Sequence, residues 1–366
     1  MAHPTTISAS ELPGSSLVLR NALILASVLD LPLRILDFRQ GRNKPGIQPA
    51  DSALVRLTDR VSGGRNAEAR LGDEEVRWEG GSRWEWEGEW NASPGPTTSL
   101  PILFQAVFPA LLFANSPSQL HFLAGSTDLP DAPPLDHTIN VLLTFLQTHL
   151  GAPAISITLL QRGSLPLGRA QLSAQVQPLS EGQVLRPVTL LEQGDVVTIR
   201  GSIVITNKMP THTLTRARDA IAEVLSLHHR AAEVPLDLTT AREAAAEGDR
   251  GEIYITIWAE TSTGCRLGGS SSGERGRRTP EEVGREAAEA LLRELDGGGC
   301  IDSWMQAFHP SPKRLSRTPS TLRLGPLTKR AQLAMDVATK LTGAKFEVEQ
   351  EGEGCILRVW GISWYR

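Results

Sequence analysis

Cysteine is scarce in this sequence, and common local motifs of metal and nucleotide chemistry are missing. Three of the 366 residues are cysteines, at positions 265, 300 and 355, far apart and outside any CxxC or Cys/His pattern. Such spacing argues against a disulfide scaffold and against a zinc site. No GxxxxGK[ST] or HExxH string occurs either. Any chemistry must therefore come from groups that the folded chain brings together.

Long hydrophobic runs and a strong net charge are also lacking. The most apolar stretch, residues 17–33, is interrupted by Arg20, Asn21 and Asp30, which predicts a buried core helix rather than a signal peptide or a membrane span. We therefore expect a reduced, intracellular protein that is not secreted and has no membrane partner. The formal charge is −4, so nucleic-acid binding would require a local basic patch.

Helix and strand patterns alternate along the chain, which predicts an α/β fold with two or three domains. Apolar residues at helical spacing predict helices near residues 19–26, 100–114, 138–149 and 328–341. Thr279-Pro280-Glu281-Glu282 supplies a hydroxyl N-cap, a first-position proline and a capping-box glutamate, and Gly297 is expected to end that helix. Residues 182–270 have a βαβ-like order, which we interpret as an inserted domain.

Three strand and turn predictions rest on local composition. The continuous apolar run at 155–160 predicts a buried strand, whereas alternation at 172–176 predicts a half-exposed partner. Trp84 and Trp86 alternate with glutamate, which predicts a strand with one aromatic face. The Gly/Ser-rich residues 268–276 are expected to form a flexible turn.

Two basic segments are candidates for contact with phosphate. Residues 39–46 hold three cations and two glycines, which suits forked donors and close backbone approach to phosphate, although a solvated loop has the same composition. The second segment has no interleaved aromatic residue and so offers no platform for stacked bases. Its cations are Lys313, Arg314, Arg317, Arg323, Lys329 and Arg330.

Several segments, read in order, resemble the RNA 3'-terminal phosphate cyclase family. They are Leu19-Arg20-Asn21-Ala22-Leu23, Phe38-Arg39-Gln40-Gly41-Arg42-Asn43-Lys44-Pro45-Gly46, Ser126-Thr127-Asp128-Leu129-Pro130-Asp131-Ala132-Pro133-Pro134-Leu135-Asp136, Gly273-Glu274-Arg275-Gly276, Pro280-Glu281-Glu282-Val283-Gly284, Gly325-Pro326-Leu327-Thr328 and Lys345-Phe346. The resemblance is colinear over most of the chain.

The resemblance implies an α/β (α+β) architecture of three repeated units, each with two helices on a four-stranded sheet, plus a small inserted α/β domain. We accordingly predict a main body at residues 1–181 and 271–366 and the insert at 182–270. In the family, a histidine attacks the α-phosphate of ATP, and AMP then passes to an RNA 3'-phosphate. The neighbouring 2'-hydroxyl closes a 2',3'-cyclic phosphate, with a divalent cation assisting.

The sequence departs from the family pattern where that chemistry is expected. Arg330 stands at the position of the nucleophilic histidine, and a protonated guanidinium has no free lone pair to attack phosphorus. Ala307 and Phe308 replace an Asp-Gln pair that contacts the nucleotide. Further departures are Pro13-Gly14-Ser15-Ser16-Leu17 at the glycine-rich opening, Ala50-Asp51-Ser52 after the basic loop, and Arg169-Ala170 after Gly168.

The retained Arg20, Arg39, Arg42 and Pro133 imply a pocket that still binds a nucleotide or RNA phosphate. Our leading hypothesis is a cyclase-like protein in RNA processing without cyclase activity, because the family includes a histidine-lacking branch that acts in ribosome biogenesis. That branch implies pre-rRNA or 3'-phosphorylated RNA and ribosome-assembly proteins as partners, and a nuclear or nucleolar location, otherwise the cytoplasm. No cofactor or metal site is predicted with it.

Two alternatives stay open. The first is an active ATP-dependent RNA 3'-terminal phosphate cyclase that needs ATP and a divalent cation and uses a displaced nucleophile such as His309. The second is a small-molecule transferase on the similar repeat fold of enolpyruvyl transferases. Adenylation by labelled ATP distinguishes the first alternative, and thermal protection by anionic sugars distinguishes the second.

Overall fold

The computed structural model describes residues 4–10, 12, 15–64, 67–80, 88–245, 248, 250–307 and 319–360. The first unit is a four-stranded sheet in the order β1-β2-β4-β3, in which β1 and β2 are parallel and the other neighbours antiparallel. Its elements are β1 (Thr5–Ser8), α1 (Ser15–Leu29), β2 (Leu33–Leu36), α2 (Pro49–Ser62), β3 (Ala67–Glu68) and β4 (Val76–Trp78).

The second unit repeats this topology with the strand order β5-β6-β8-β7. The predicted helix near residues 138–149 is confirmed, but it starts earlier and contains a π-helical turn at Thr138–Leu142. The unit consists of β5 (Gly88–Ala92), α3 (Leu100–Leu111), β6 (Ser118–Phe122), α4 (Leu135–His137), α5 (Leu143–Thr148), β7 (Ile155–Gln161) and β8 (Gln171–Val176).

The next strand, β9 (Thr189–Leu190), belongs to the third unit, and the chain forms a separate sheet, the fourth, before it returns to that unit. The strand order of the fourth sheet is β11-β10-β12-β13, and two helices pack on one face. The elements are β10 (Val196–Thr206), α6 (His212–Ser226), β11 (Leu236–Glu243), β12 (Glu252–Thr261), β13 (Arg266–Glu274) and α7 (Pro280–Asp296). The apolar cluster under α6 and α7 extends from Ile199 to Leu295 and is separate from the main core.

The third unit closes with the same topology, β9-β14-β16-β15, and a parallel pair between β9 and β14. It comprises β14 (Ser320–Leu324), α8 (Lys329–Thr342), β15 (Phe346–Glu351) and β16 (Gly354–Val359). Three sheets of one topology plus a fourth sheet confirm the predicted α/β (α+β) fold class. The first two strands of the first and second units are joined through one helix, α1 or α3, whereas in the third unit the fourth sheet with α6 and α7 occupies this connection.

Local capping explains where the predicted helices begin and end. Thr279 accepts a hydrogen bond from the backbone N–H of Glu282, whose carboxylate accepts from Thr279 N at 2.7 Å, so the predicted capping box of α7 is confirmed. At α8, Thr328 accepts from Ala331 N at 3.1 Å, and Gly343 ends the helix at a φ of 69°.

Residues 268–276 were predicted to be a flexible turn, and that prediction is wrong because most of them belong to β13. The glycines serve close packing instead: a Cβ on Gly269 would lie 2.3 Å from the backbone nitrogen of Leu291 in α7. Residues 269–273 also have GxSxG spacing. Because they lie inside a strand and not at a strand-to-helix turn, they form no nucleophile elbow.

One other strand prediction is corrected by its position in the sheet, and another lies on residues that the structure does not describe. The strand predicted to be buried at 155–160 is β7, which lies at the sheet edge, and Leu160 is 67% exposed. The apolar run thus reflects an edge strand with one packed face. Trp84 and Trp86 lie outside the described residues.

A buried ion cluster joins the second unit to the fourth sheet. Arg162, in the loop after β7, lies 3.4 Å from Asp128, 3.2 Å from Asp136 and 3.3 Å from Glu243 of β11. Its guanidinium also lies 5.0 Å from the ring centroid of Tyr254 in β12. Burial acts to lower the pKa of Arg162, but the three carboxylates outweigh it and hold that pKa above its usual value.

Candidate functional site

A cavity of about 710 Å³ opens between the first two units and the start of α8. Its described lining holds four cations and two carboxylates, so the balance favours an anion. The charged lining residues are Arg20, Arg39, Lys44, Asp51, Asp131 and Arg330. The lining also includes Trp304 and Ala307, which precede α8 in the chain.

Arg20 and Arg330 bring two positive charges into the same cavity from α1 and α8. Burial, and then the charge of Arg330, lower the pKa of Arg20 to about 10. Both guanidinium groups therefore stay protonated at neutral pH. Two guanidinium groups that repel each other across a cavity are stabilised when an anion binds between them.

Arg330 is held by groups from two other parts of the chain. Its guanidinium lies 4.4 Å from the centroid of the Trp304 ring, and Nη2 donates to the carbonyl of Asp131 at 3.3 Å. Arg330 is the second residue of α8, and the first turn of that helix holds no acidic residue. Cations at a helix N-terminus oppose the helix dipole, which further favours a bound anion at this point.

The loop before α2 places Arg39 and Lys44 at the cavity rim. Arg39 adopts a φ of 55° and its Nε donates to the carbonyl of Lys44 at 3.2 Å. Gly46 has a φ of 69°, and a Cβ there would lie 2.1 Å from the carbonyl oxygen of Gly72, so only glycine fits this close approach.

Asp51 supports that loop by capping α2. Its carboxylate accepts from the backbone N–H of Gln48 at 3.1 Å, in a capping box with Gln48 at the N-cap. Burial raises the pKa of Asp51, while bonds from Ser16 and Gln48 and the charge of Arg39 oppose that rise. This carboxylate is thus already engaged in the structure of the cavity wall.

The cavity lining includes most of the site residues predicted from the sequence. Arg20, Arg39, Pro133, Ala307 and Arg330 all line it. Arg42 does not, because the turn carries its side chain out to solvent. Phe308, His309, Lys313, Arg314 and Arg317 lie outside the described residues.

The second basic segment does not stay together in the described part. Arg323 is on β14, where it pairs with Glu351 and donates to the carbonyl of Leu191 at 2.8 Å. Lys329 and Arg330 begin α8 instead. The described cations of that segment therefore belong to two different elements.

The donor set of the cavity does not fit a divalent cation held by protein carboxylates. Asp51 is used in the capping box, and the described residues contain no cluster of three or more His, Cys, Asp or Glu side chains. The described histidines, at 121, 137, 149, 212, 228 and 229, all lie outside the described lining. Among the described helices, none has the length and apolar character to cross a membrane.

Sequence reasoning missed the roles of Trp304 and Asp51. Trp304 contacts Arg330 only through the tertiary fold, and its one sequence signal is its place shortly before Ala307. Asp51 had a clearer signal, since Gln48-Pro49-Ala50-Asp51 has the spacing of a capping box with proline at the first helical position.

Comparison with known proteins identifies the family of this chain. A family model described as RNA 3'-terminal phosphate cyclase matches residues 12–348. The RNA 3'-terminal phosphate cyclase of Pyrobaculum neutrophilum is 31% identical over 363 residues, 96% of each chain. Proteins of the same name from Caldivirga maquilingensis (31%, 82% of each chain) and Methanothermobacter thermautotrophicus (30%, 95% of this chain and 97% of the relative) are also similar. The chain therefore belongs to the RNA 3'-terminal phosphate cyclase family.

Proposed function

We propose that this chain binds phosphorylated RNA in the cavity and acts in RNA processing without forming a covalent nucleotide intermediate. The observation that carries the proposal is the position of Arg330 at the start of α8, stacked on Trp304 and facing Arg20. A guanidinium in that place binds an anion, and it cannot act as a nucleophile toward one.

The chemistry of adenylylation explains why this substitution matters. A nucleophile must form a bond to the α-phosphorus of ATP while pyrophosphate leaves, and this requires a free lone pair. Arg330 has none at neutral pH, and no described histidine lines the cavity to replace it. Ala307 offers a methyl group where a polar contact to a nucleotide would be needed.

The cavity suits a terminal phosphate monoester. Arg20 and Arg330 supply forked donors, and Arg39 and Lys44 add charge at the rim. A 3'-phosphate carries more negative charge than an internal phosphodiester, so these cations favour a phosphorylated RNA end over a hydroxyl end. Pre-rRNA processing, ribosome-assembly partners and a nuclear or nucleolar location are part of this proposal through the histidine-lacking branch of the family.

The test combines catalysis and binding on the purified protein. It is incubated with α-labelled ATP, a divalent cation and a 3'-phosphorylated oligonucleotide, and both protein-linked AMP and cyclic-ended RNA are scored. Binding of 3'-phosphorylated and 3'-hydroxyl oligonucleotides is measured by fluorescence anisotropy. We expect no adenylated protein, no cyclic ends, and tighter binding of the phosphorylated end. Adenylated protein with cyclic product would overturn the proposal.

The second candidate is ATP-dependent cyclisation of RNA 3'-phosphates. It is favoured by relatives named RNA 3'-terminal phosphate cyclase that align with nearly the whole chain. A nucleophile other than Arg330 would then be required, and His309 is one such group in the sequence. Labelled AMP on the protein that disappears in His309→Ala and persists in His229→Ala would support this candidate.

A further inference from the structure

A groove of about 320 Å³ continues from the cavity along α2. The two share Pro49 and Leu103, so the groove adjoins the cavity. Its lining is Pro49, Ser52, Ala53, Arg56, Leu57, Arg60, Leu71, Asn91, Ala92, Ser93, Pro94 and Leu103. A chain whose end occupies the cavity can leave it through this groove.

The only charged side chains in the described lining of the groove are Arg56 and Arg60. They lie four residues apart on α2 and therefore on the same side of the helix, where two like charges repel each other. Arg60 donates to the carbonyl of Asn91 at 2.9 Å, which holds it at the groove wall. Among described residues, Arg56 and Arg60 form no ion pair, so their charge is available to an anion.

The floor of the groove is apolar. Leu57, Pro94 and Leu103 contribute to it, and Leu71 is 62% exposed at its edge. Asn91 and Ser93 add polar groups at the rim. This combination suits a nucleotide, because the cations can contact its phosphate and the apolar surface can contact its base.

Asp51 and Arg56 show how the cavity and the groove are arranged on α2. Asp51 faces the cavity and Arg56 faces the groove, five residues further along the helix. At the helical rise and turn these two residues are about 7.5 Å apart along the axis and about 140° apart around it. An RNA whose terminal phosphate is bound by Arg20 and Arg330 can therefore reach Arg56 past Pro49, which lines both the cavity and the groove.

We propose that the groove binds the nucleotides that precede the RNA 3' end, with Arg56 and Arg60 contacting their phosphodiesters. This inference rests on the proposed function, because it takes the terminal phosphate to lie in the cavity. It makes the ligand a single-stranded RNA several nucleotides long. A mononucleotide would fill the cavity and leave the groove unused.

The experiment compares ligands of increasing length on two double variants. Kd is measured for uridine 3'-phosphate and for 3'-phosphorylated oligouridylates of two, three and six nucleotides. The test variant is Arg56→Gln/Arg60→Gln. The matched control is Arg216→Gln/Arg285→Gln, which removes the same charge from α6 and α7, where these arginines pair with Glu281 and Glu223.

We expect the test variant to bind the six-nucleotide ligand roughly 10-fold more weakly than the unchanged protein, with uridine 3'-phosphate unaffected. The dependence of log Kd on log salt concentration should also fall, by about 0.7 for each lost phosphate contact. The control variant should match the unchanged protein for every ligand.

The outcomes separate this inference from the proposed function. The proposal is contradicted if both variants bind the six-nucleotide ligand equally. It is also contradicted if the test variant loses as much affinity for uridine 3'-phosphate as for the six-nucleotide ligand. Oligonucleotide binding that depends on Arg56 and Arg60 but ignores the 3'-phosphate supports the groove and contradicts the proposed end recognition. If the unchanged protein binds no oligonucleotide, both are wrong.

Discussion

The guanidinium of Arg330 stacks on the indole of Trp304, 4.4 Å from the ring centroid, although 25 residues lie between them in the sequence. The stack and the bond to the carbonyl of Asp131 fix the side chain before any ligand arrives. A donor that is already ordered loses less conformational entropy when it binds phosphate. Trp304 therefore affects anion binding indirectly, by holding Arg330 in place.

We expect Arg330→Gln to weaken binding of a 3'-phosphorylated oligonucleotide by roughly 10- to 100-fold, because a hydrogen bond to a charged group contributes about 1.5–3 kcal/mol. Arg330→Lys keeps the charge but loses the planar fork, so its loss should be smaller. Trp304→Leu should weaken binding less than Arg330→Gln, since the arginine is retained. Fluorescence anisotropy measures all three, and equal Kd values for Arg330→Gln and the unchanged protein would contradict the assignment.

The buried cluster around Arg162 predicts that replacing this arginine lowers the free energy of unfolding by a large amount. Arg162→Met leaves Asp128, Asp136 and Glu243 without their shared cation, and breaking a buried ion pair in this way costs roughly 3–5 kcal/mol. The control is Arg216→Gln, which breaks a surface pair with Glu281 and should cost less than about 1 kcal/mol. Urea unfolding at neutral pH compares them. Equal costs for the two variants would mean that the buried carboxylates are satisfied without Arg162.

Features set by neighbouring residues could be predicted from the sequence, and features set by tertiary contacts could not. The helix that begins after Thr279 is defined by a capping box within four residues. The conformation of residues 268–274 depends instead on α7, against which Gly269 packs. Composition alone favours a turn there, because glycine and serine are common in turns.

The candidate site shows the same difference between features set by neighbouring residues and features set by tertiary contacts. The sequence indicates that residues 39–46 are basic, but only the folded turn separates Arg39, which lines the cavity, from Arg42, which faces solvent. The position of Arg330 could be predicted through the resemblance. Its contact with Trp304 and its effect on the pKa of Arg20 require the three-dimensional arrangement.

The packing of β13 on α7 leads to a prediction about Gly269. A methyl group there would lie 2.3 Å from the nitrogen of Leu291, so Gly269→Ala must push α7 away from the sheet. Overpacking of this kind costs roughly 1–3 kcal/mol. Gly352→Ala is a control for the added methyl group, since nothing lies within 4 Å of that Cβ, although its φ of 64° adds backbone strain. Thermal unfolding should show the larger loss for Gly269→Ala, and an unchanged Tm would contradict the packing argument.

The raised pKa of Glu294 predicts that the folded protein becomes less stable as the pH rises toward neutrality. Burial, and then the charge of Asp302, raise the pKa of Glu294 to about 7, against an ordinary value of 4.5. Between these two values the folded protein holds a proton that the unfolded chain has released. The stabilisation is therefore complete below pH 4.5 and is lost as the pH rises through about 7.

Glu294→Gln removes this titration and keeps a side chain that can accept from Ser303, whose backbone N–H donates to Glu294 at 3.1 Å. The raised pKa corresponds to an upper limit of roughly 3 kcal/mol, so the variant should gain stability relative to the unchanged protein between pH 5 and pH 8 by no more than that. Urea unfolding at several pH values measures the difference. A difference that does not change with pH would mean that Glu294 ionises in the folded protein as it does in the unfolded chain.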